Sequence, residues 1–447
     1  MSTDHPQQQS SLVRALVSFC VPLVLASLLQ QLYNWADAFI VGNIEGEAAL
    51  AAVGATTVVV NFFVQAITGF CSGVSILSAR RFGQGDREAQ PRILSTFLIA
   101  LGGAALATAA ATLLFSRPLL TMMRTPADIF PISLAYLRVI LLGIPFLTLY
   151  NVCAAILRGI GDSKAPFYAV VVSSLSNVAL DLLFVGPFGW GAAGAAAATV
   201  LAQALMAVYI WFYARRKHPF LLPVAGQART DGPLLRQGCR LALPIALQSV
   251  VSSFGNLILQ NFMNGFGTPT VAAITTAYRV DSVIMLPVIN LGTGIATLVS
   301  QNTGAGDHAR ARDCLKAGIA LSALVSLGMT AIVQSIGGPV IALFGVGPES
   351  AAIGAEFFRC ISWFYLVFGL CMAIRGYLDG IGDVVFAGLN RVTSLAVRIG
   401  LSYLLAPLFF NMVIAYAEAI SWCLMLALYL LRYSWRQSRL RRTGSPL

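Results

Sequence analysis

Two aspartates, Asp37 and Asp181, stand inside otherwise apolar stretches of this chain. A charge at mid-bilayer costs roughly 2.5–3.5 kcal/mol on insertion scales, so a carboxylate kept there needs a task or a partner. Asp37 extends a polar stripe of Gln30 and Asn34, with spacings of four and three that place all of them on one helix face. Asp181 follows Asn177 by four residues, with Ser173 and Ser174 one turn further back. The two polar faces cannot point at lipid, and they are expected to meet inside the first half of the protein. Asp37, Asn177 and Asp181 would then form a cation or proton site. The alternative is a hydrogen-bonded cluster that only holds helices together, but amides and hydroxyls would suffice for that. Burial and a second carboxylate are the effects that bring a carboxyl into the range of proton exchange near neutrality. A sodium ion would instead keep both acids ionised, with the same oxygens as ligands.

A second stripe, Gln248, Ser252, Asn256, Gln260 and Asn264, recurs every four residues and carries no acid. Neutral amides on one face suit a weakly selective polar surface. Gln30, Asn34, Gln248, Asn256 and Gln260 are therefore read as lining a substrate cleft, with simple helix pairing as the alternative. Arg279 and Asp281 are expected to join a structural ion-pair network, and Arg398 to pair with carbonyls or with an acid such as Glu418. Pro22, about four turns before Asp37, should bend its helix, because proline removes a backbone donor and crowds the preceding turn.

Metal and covalent chemistry find little support. The eight cysteines are scattered without a CxxC pair, and His5, His218 and His308 all fall outside the apolar runs. There is no HExxH and no aspartate-rich metal motif, which argues against an intramembrane zinc protease or a prenyltransferase. Neither an enzyme nor a cofactor is expected.

The elements that must position these residues follow from composition. Only 11% of the 447 residues are charged and 57% are hydrophobic, with a mean hydropathy of +0.79. A soluble domain carries about 25% charged residues, and about 20 apolar residues span a bilayer core. The reading is an all-α integral membrane protein. Its helices are predicted near 15–41, 51–77, 93–115, 132–156, 167–186 and 191–213, then 240–263, 279–300, 315–336, 357–377, 386–409 and 413–432. Basic residues concentrate in alternate loops, including Arg80, Arg81, Arg87 and Arg92, the stretch Arg215 to Arg240, and the tail through Arg441 and Arg442. That bias predicts cytoplasmic termini in a plasma or inner membrane. It also assigns the net charge of +11 to membrane orientation, with no nucleic-acid partner. The leader Met1–Ser11 has no positive charge and predicts no cleaved signal peptide.

Two separated motifs recur at one offset. Gly83-Gln-Gly-Asp86 returns as Gly304-Ala-Gly-Asp307, and Gly159-Ile-Gly-Asp162 as Gly380-Ile-Gly-Asp383, each 221 positions later. A lone G-x-G-D is a weak helix-ending signal, but two at the same offset indicate duplication. Six helices per half begin and end on one side, so the halves are related by an axis along the membrane normal. The predicted organisation is an N-lobe over 1–214, a linker over 215–239, a C-lobe over 240–433 and a basic tail over 434–447.

With those residues in hand, the chain resembles the multidrug and toxic compound extrusion (MATE) transporters. The resemblance covers nearly the whole sequence. It is carried by Pro22…Leu32-Tyr-Asn34…Asp37…Val41-Gly42, Ala49-Leu-Ala-Ala-Val-Gly54, Arg158-Gly-Ile-Gly-Asp162, and Ala277-Tyr-Arg-Val-Asp281 leading to Ser300-Gln-Asn-Thr-Gly-Ala-Gly306. It implies two six-helix lobes in a V and export of varied, often cationic amphiphiles in exchange for protons or sodium ions. In one branch of the family the cation site lies in the N-lobe, and Asp37, Asn177, Asp181 and Thr199 match its positions, with Pro22 at the bend of the first helix. The C-lobe acid that other members carry in the seventh helix is missing. The expectation is a monomeric antiporter in the lipid bilayer, acting on small organic molecules. The nearest rival is a flippase for lipid-linked saccharides, which should show a cavity rich in cationic residues.

Overall fold

The structure, a computed structural model, describes residues 5–222 and 229–443. The start of the predicted leader, the middle of the linker and the last four residues of the tail lie outside the described residues, as do the side chains of His5, Arg441 and Arg442.

The described residues form helices joined by short turns, with no strand among them. The first half contains α1 (His5–Ile44), α2 (Glu47–Gly83), α3 (Ala89–Leu114), the short α4 (Ser116–Met122), α5 (Phe130–Leu141), α6 (Ile144–Gly159), α7 (Lys164–Val185) and α8 (Gly191–Lys217). The second contains α9 (Gly232–Asn264), α10 (Thr268–Ile284), α11 (Leu286–Gly304), α12 (His308–Ala342), α13 (Pro348–Ile361), α14 (Tyr365–Gly380), α15 (Val384–Phe409) and α16 (Val413–Thr443).

Nine of the described segments are long and apolar enough to cross a membrane, and two bent pairs raise the number to eleven. The stretch 384–439 counts once in that number but holds two helices, α15 and α16, which reverse at residues 410–412 and pack on each other. The bent pairs are α5–α6, at 41°, and α10–α11, at 42°. Each break falls inside a stretch expected as one helix, 132–156 and 279–300, and α10 begins earlier than expected, at Thr268. The cause is local: Pro145 and Pro287 sit in the first turn of α6 and α11, where a ring nitrogen cannot donate to the turn before it.

The duplicated motifs build duplicated turns. Gly161 and Gly382 hold φ of +96° and +90°, a region that side chains disfavour, and each ends its helix so that the next residue's amide bonds five residues back, Asp162 to Leu157 and Asp383 to Leu378. In the other motif pair the aspartate caps the following helix. Asp86 Oδ1 accepts from the Ala89 amide at 3.0 Å, and Asp307 Oδ1 from the Arg310 amide at 2.8 Å. Both contacts keep the 221-residue offset.

The chain groups into two compact units, Pro22–Ala246 and the combination of Met1–Val21 with Leu247–Leu447. This differs from a division at the linker. The long helices α1 and α9 each pass from one unit to the other beside a proline, Pro22 and Pro244. The predicted linker is also partly helical, since α8 runs to Lys217 and α9 begins at Gly232. Within the first unit α7 packs along α8, whose buried Ala192, Gly194, Ala195, Ala196 and Ala198 allow close backbone approach.

Candidate cation site and the polar clusters of the two units

In the Pro22–Ala246 unit, α1 supplies Asp37, α7 supplies Asn177 and Asp181, and α8 supplies Thr199. Asn177 and Asp181 are one turn apart on α7 and almost fully buried, at 1% and 0% exposure. The close α7–α8 packing lets Asn177 Nδ2 donate to Thr199 Oγ1 at 3.3 Å. The Asp37 and Asp181 carboxyls come within hydrogen-bonding reach of each other. The four residues are thus brought together.

What this cluster lacks is donors. Asp37 Oδ1, Asn177 Oδ1 and both Asp181 oxygens are buried and have no hydrogen-bond donor among the described residues. Buried acceptors without donors are costly. A proton on either carboxyl would turn it into a donor to the other, and a small cation with oxygen ligands would satisfy several at once. Tyr33 of α1 and Tyr136 of α5 stand beside both acids, and Tyr33 shares a hydrogen bond with Gln30. Tyr33 entered the sequence reading only as part of the Leu32-Tyr-Asn34 run, and Tyr136 looks like an ordinary aromatic residue of an apolar helix.

Of the other cleft residues, Gln30 and Asn34 are exposed on α1. Gln248 is buried, accepts from Arg375 Nη2 at 2.9 Å and donates to Ser252 at 3.2 Å, so it is engaged within its own unit. Asn256 is exposed, and Gln260 donates to Asn264 at 3.2 Å.

The second unit has its own polar clusters. Arg398 pairs with Glu418 at 2.8 Å and also donates to Tyr278, whose hydroxyl reaches Glu418 at 3.3 Å. The network expected around Arg279 takes a different form. Asp281 accepts from Tyr365 at 2.6 Å, whereas Arg279 is exposed and has no ion pair among the described residues. Two positions apart on a helix, residues 279 and 281 face different directions.

Sequence reasoning missed a contact at the α6–α7 turn. Asp162 Oδ2 meets His218 Nε2 at 2.9 Å and the Tyr213 hydroxyl at 3.1 Å, while Oδ1 accepts from the amides of Lys164 and Ala165. Burial opposes ionisation there, but the His218, Ala165 and Tyr213 hydrogen bonds outweigh it and hold the carboxyl below its ordinary 3.8. The duplication was the available clue. The repeat partner Asp383 binds Arg432 at 2.8 Å and Arg436 at 2.9 Å, both on α16. Among the described residues no group of three or more His, Cys, Asp or Glu side chains could hold a metal ion.

Comparison with known proteins extends these observations. The family model MatE matches twice, over residues 22–183 and 244–404, once in each half. A probable multidrug resistance protein of Bacillus subtilis, YpnP, is 27% identical over 84% of this chain and 84% of its own length. The Staphylococcus aureus multidrug export protein MepA is 22% identical over 90% of this chain and 89% of its own. The solved outward-facing structure of a multidrug resistance MATE transporter of the MOP superfamily superposes with a TM-score of 0.90, covering 99% of this chain and all of that one at 22% identity.

Proposed function

This chain belongs to the MatE family of membrane transporters, and from that premise we propose that it is a secondary active antiporter that exports cationic or amphiphilic small molecules in exchange for protons or sodium ions. The observation that carries this reading is the donor-poor cluster of Asp37, Asn177 and Asp181. A pocket whose carboxylate oxygens lack donors gains most from the arrival of a proton or cation, so its two states differ in free energy according to ion occupancy. A ligand shifts a conformational equilibrium only through such a difference.

In the proposed cycle the ion binds at Asp37 and Asp181, with Asn177 and Thr199 completing the pocket. Its charge relieves the repulsion between two facing carboxylates and changes how α1 lies beyond Pro22, where a missing backbone hydrogen bond makes bending cheap. The exported compound, held on amide-bearing faces such as that of Gln30 and Asn34, is then released on the other side. One charge crossing 100 mV supplies about 2.3 kcal/mol, which at about 1.36 kcal/mol per decade sustains roughly a fifty-fold gradient of a neutral compound. The protein is taken to act as a monomer in the plasma membrane, with both termini cytoplasmic.

The test is Asp37→Asn in everted membrane vesicles, following dye accumulation while sodium and pH gradients are varied independently. Ion-driven transport is expected to fall to the level seen without a gradient. Transport that persists undiminished would exclude this coupling site.

A further inference from the structure

The carboxy-terminal unit contains a partly buried cluster with the opposite imbalance, an excess of cations over acids. Arg375 of α14 places its Nε 3.4 Å from Asp379 Oδ2 and donates through Nη2 to Gln248 at 2.9 Å. Arg391 of α15 is half-buried and has neither a hydrogen bond nor an ion pair among the described residues. Its electrostatic neighbours are Arg375, Tyr429 and Asp379. Two guanidinium groups therefore share one carboxylate. Just beyond, Arg432 and Arg436 share Asp383, so cations outnumber acids across the whole end of α14, α15 and α16. The Arg398–Glu418 pair does not supply the missing charge, because the neighbours of Arg398 are Glu418, Tyr278 and Asp281.

The duplication shows that the fold does not demand these arginines. α14 and α15 repeat α6 and α7 at the 221-residue offset, and there Arg375 and Arg391 fall on Ala154 and Val170. Both of those side chains are buried and apolar, so the same helix packing forms without a charge at either place. Like charges brought together in a low-dielectric interior need compensation, and guanidinium forks bind oxyanions in a bidentate manner.

We propose that Arg375 and Arg391 form a binding site for an oxyanion, a phosphate, sulfonate or carboxylate carried by a small amphiphile. Arg391 contacts the anion with both of its terminal nitrogens, while Arg375, oriented by Gln248 and Asp379, adds the charge of its guanidinium. Such an anion could arrive on a soluble compound or on a lipid headgroup. No step of this inference passes through Asp37, Asn177 or Asp181, and it stands whether or not the coupling reading does.

Equilibrium binding to the full-length protein in neutral detergent tests it without any ion gradient. Phenyl phosphate serves as the soluble probe, dihexanoyl phosphatidic acid as the lipid probe and benzyltrimethylammonium as the cationic control, each titrated against the thermal unfolding midpoint. At least one phosphate probe should stabilise the protein, and the one that does identifies the source. Arg391→Gln should weaken its apparent affinity about thirty-fold or more. Arg391→Lys should restore part of that loss, and the response to the ammonium control should not change. Arg391 holds no other residue in place, so this variant is expected to fold even if Arg375→Gln does not. The proposal is overturned if neither phosphate probe stabilises the wild type, or if Arg391→Gln leaves the affinity unchanged.

Discussion

Asp37 on α1 and Asp181 on α7 turn their carboxyls toward each other within hydrogen-bonding reach, and Asp37 Oδ1 and both Asp181 oxygens are buried without a donor. Two ionised carboxylates cannot hydrogen-bond, so the arrangement stores a demand for positive charge. If the acids act as one unit, their effects on transport should not add. Asp37→Asn and Asp181→Asn should each abolish ion-driven export, and the double variant should be no worse than either single one. Initial rates in vesicles give the cycle directly, and additive losses would mean two independent roles.

The Arg398–Glu418 pair should show the asymmetry of buried ion pairs. Removing one partner strands the other charge, at a cost of about 3–5 kcal/mol, whereas removing both is often nearly neutral. Arg398→Gln should therefore lower the thermal unfolding midpoint sharply, and Arg398→Gln with Glu418→Gln should recover much of it. The 2.8 Å contact and its Tyr278 neighbour make this a stringent case. A double variant as unstable as the single one would show that Tyr278 and Asp281 depend on the charges themselves.

Asp162 makes the stability of its turn depend on pH. Its carboxyl is held below 3.8, so the ionised form contributes stability at neutral pH, and this contribution is lost as the pH falls through the lowered folded value. Asp162→Asn should cost about 1 kcal/mol at pH 7, on the scale of a capping interaction. The gap between variant and wild type should close as the pH falls below the ordinary carboxyl value. Unfolding midpoints recorded from pH 8 to 3 would reveal it, and a gap that widens in acid would reverse the sign.

The repeated turns should respond alike to one substitution. Gly161→Ala and Gly382→Ala each force a side chain into positive φ, at about 1–2 kcal/mol. Similar losses of unfolding midpoint are expected from the two, because the turns share φ and hydrogen bonding. A large effect at only one site would show that the two turns do not carry equal strain.

The sequence by itself determined the membrane-spanning helices, the duplication and the polar faces of α1 and α7. These features are local: hydrophobic run length, a motif at a fixed offset and three- or four-residue spacing are written along the chain. Even the turns were legible in part, since a G-x-G-D motif after an apolar run marks the end of a helix. Partner choice was decided only by the tertiary structure. Nothing in the spacing of Arg375, Asp379 and Arg391 says that Gln248 will take one guanidinium and that the other will have no ion pair of its own among the described residues. The same holds for Asp281, which bonds Tyr365 and leaves its sequence neighbour Arg279 exposed, and for His218, which folds back on Asp162. These contacts join residues 56 to 127 positions apart, and they depend on which helix faces pack together. Hydrophobic patterning fixes that a face is buried, but a buried polar group finds its partner only once the backbones have set the distances.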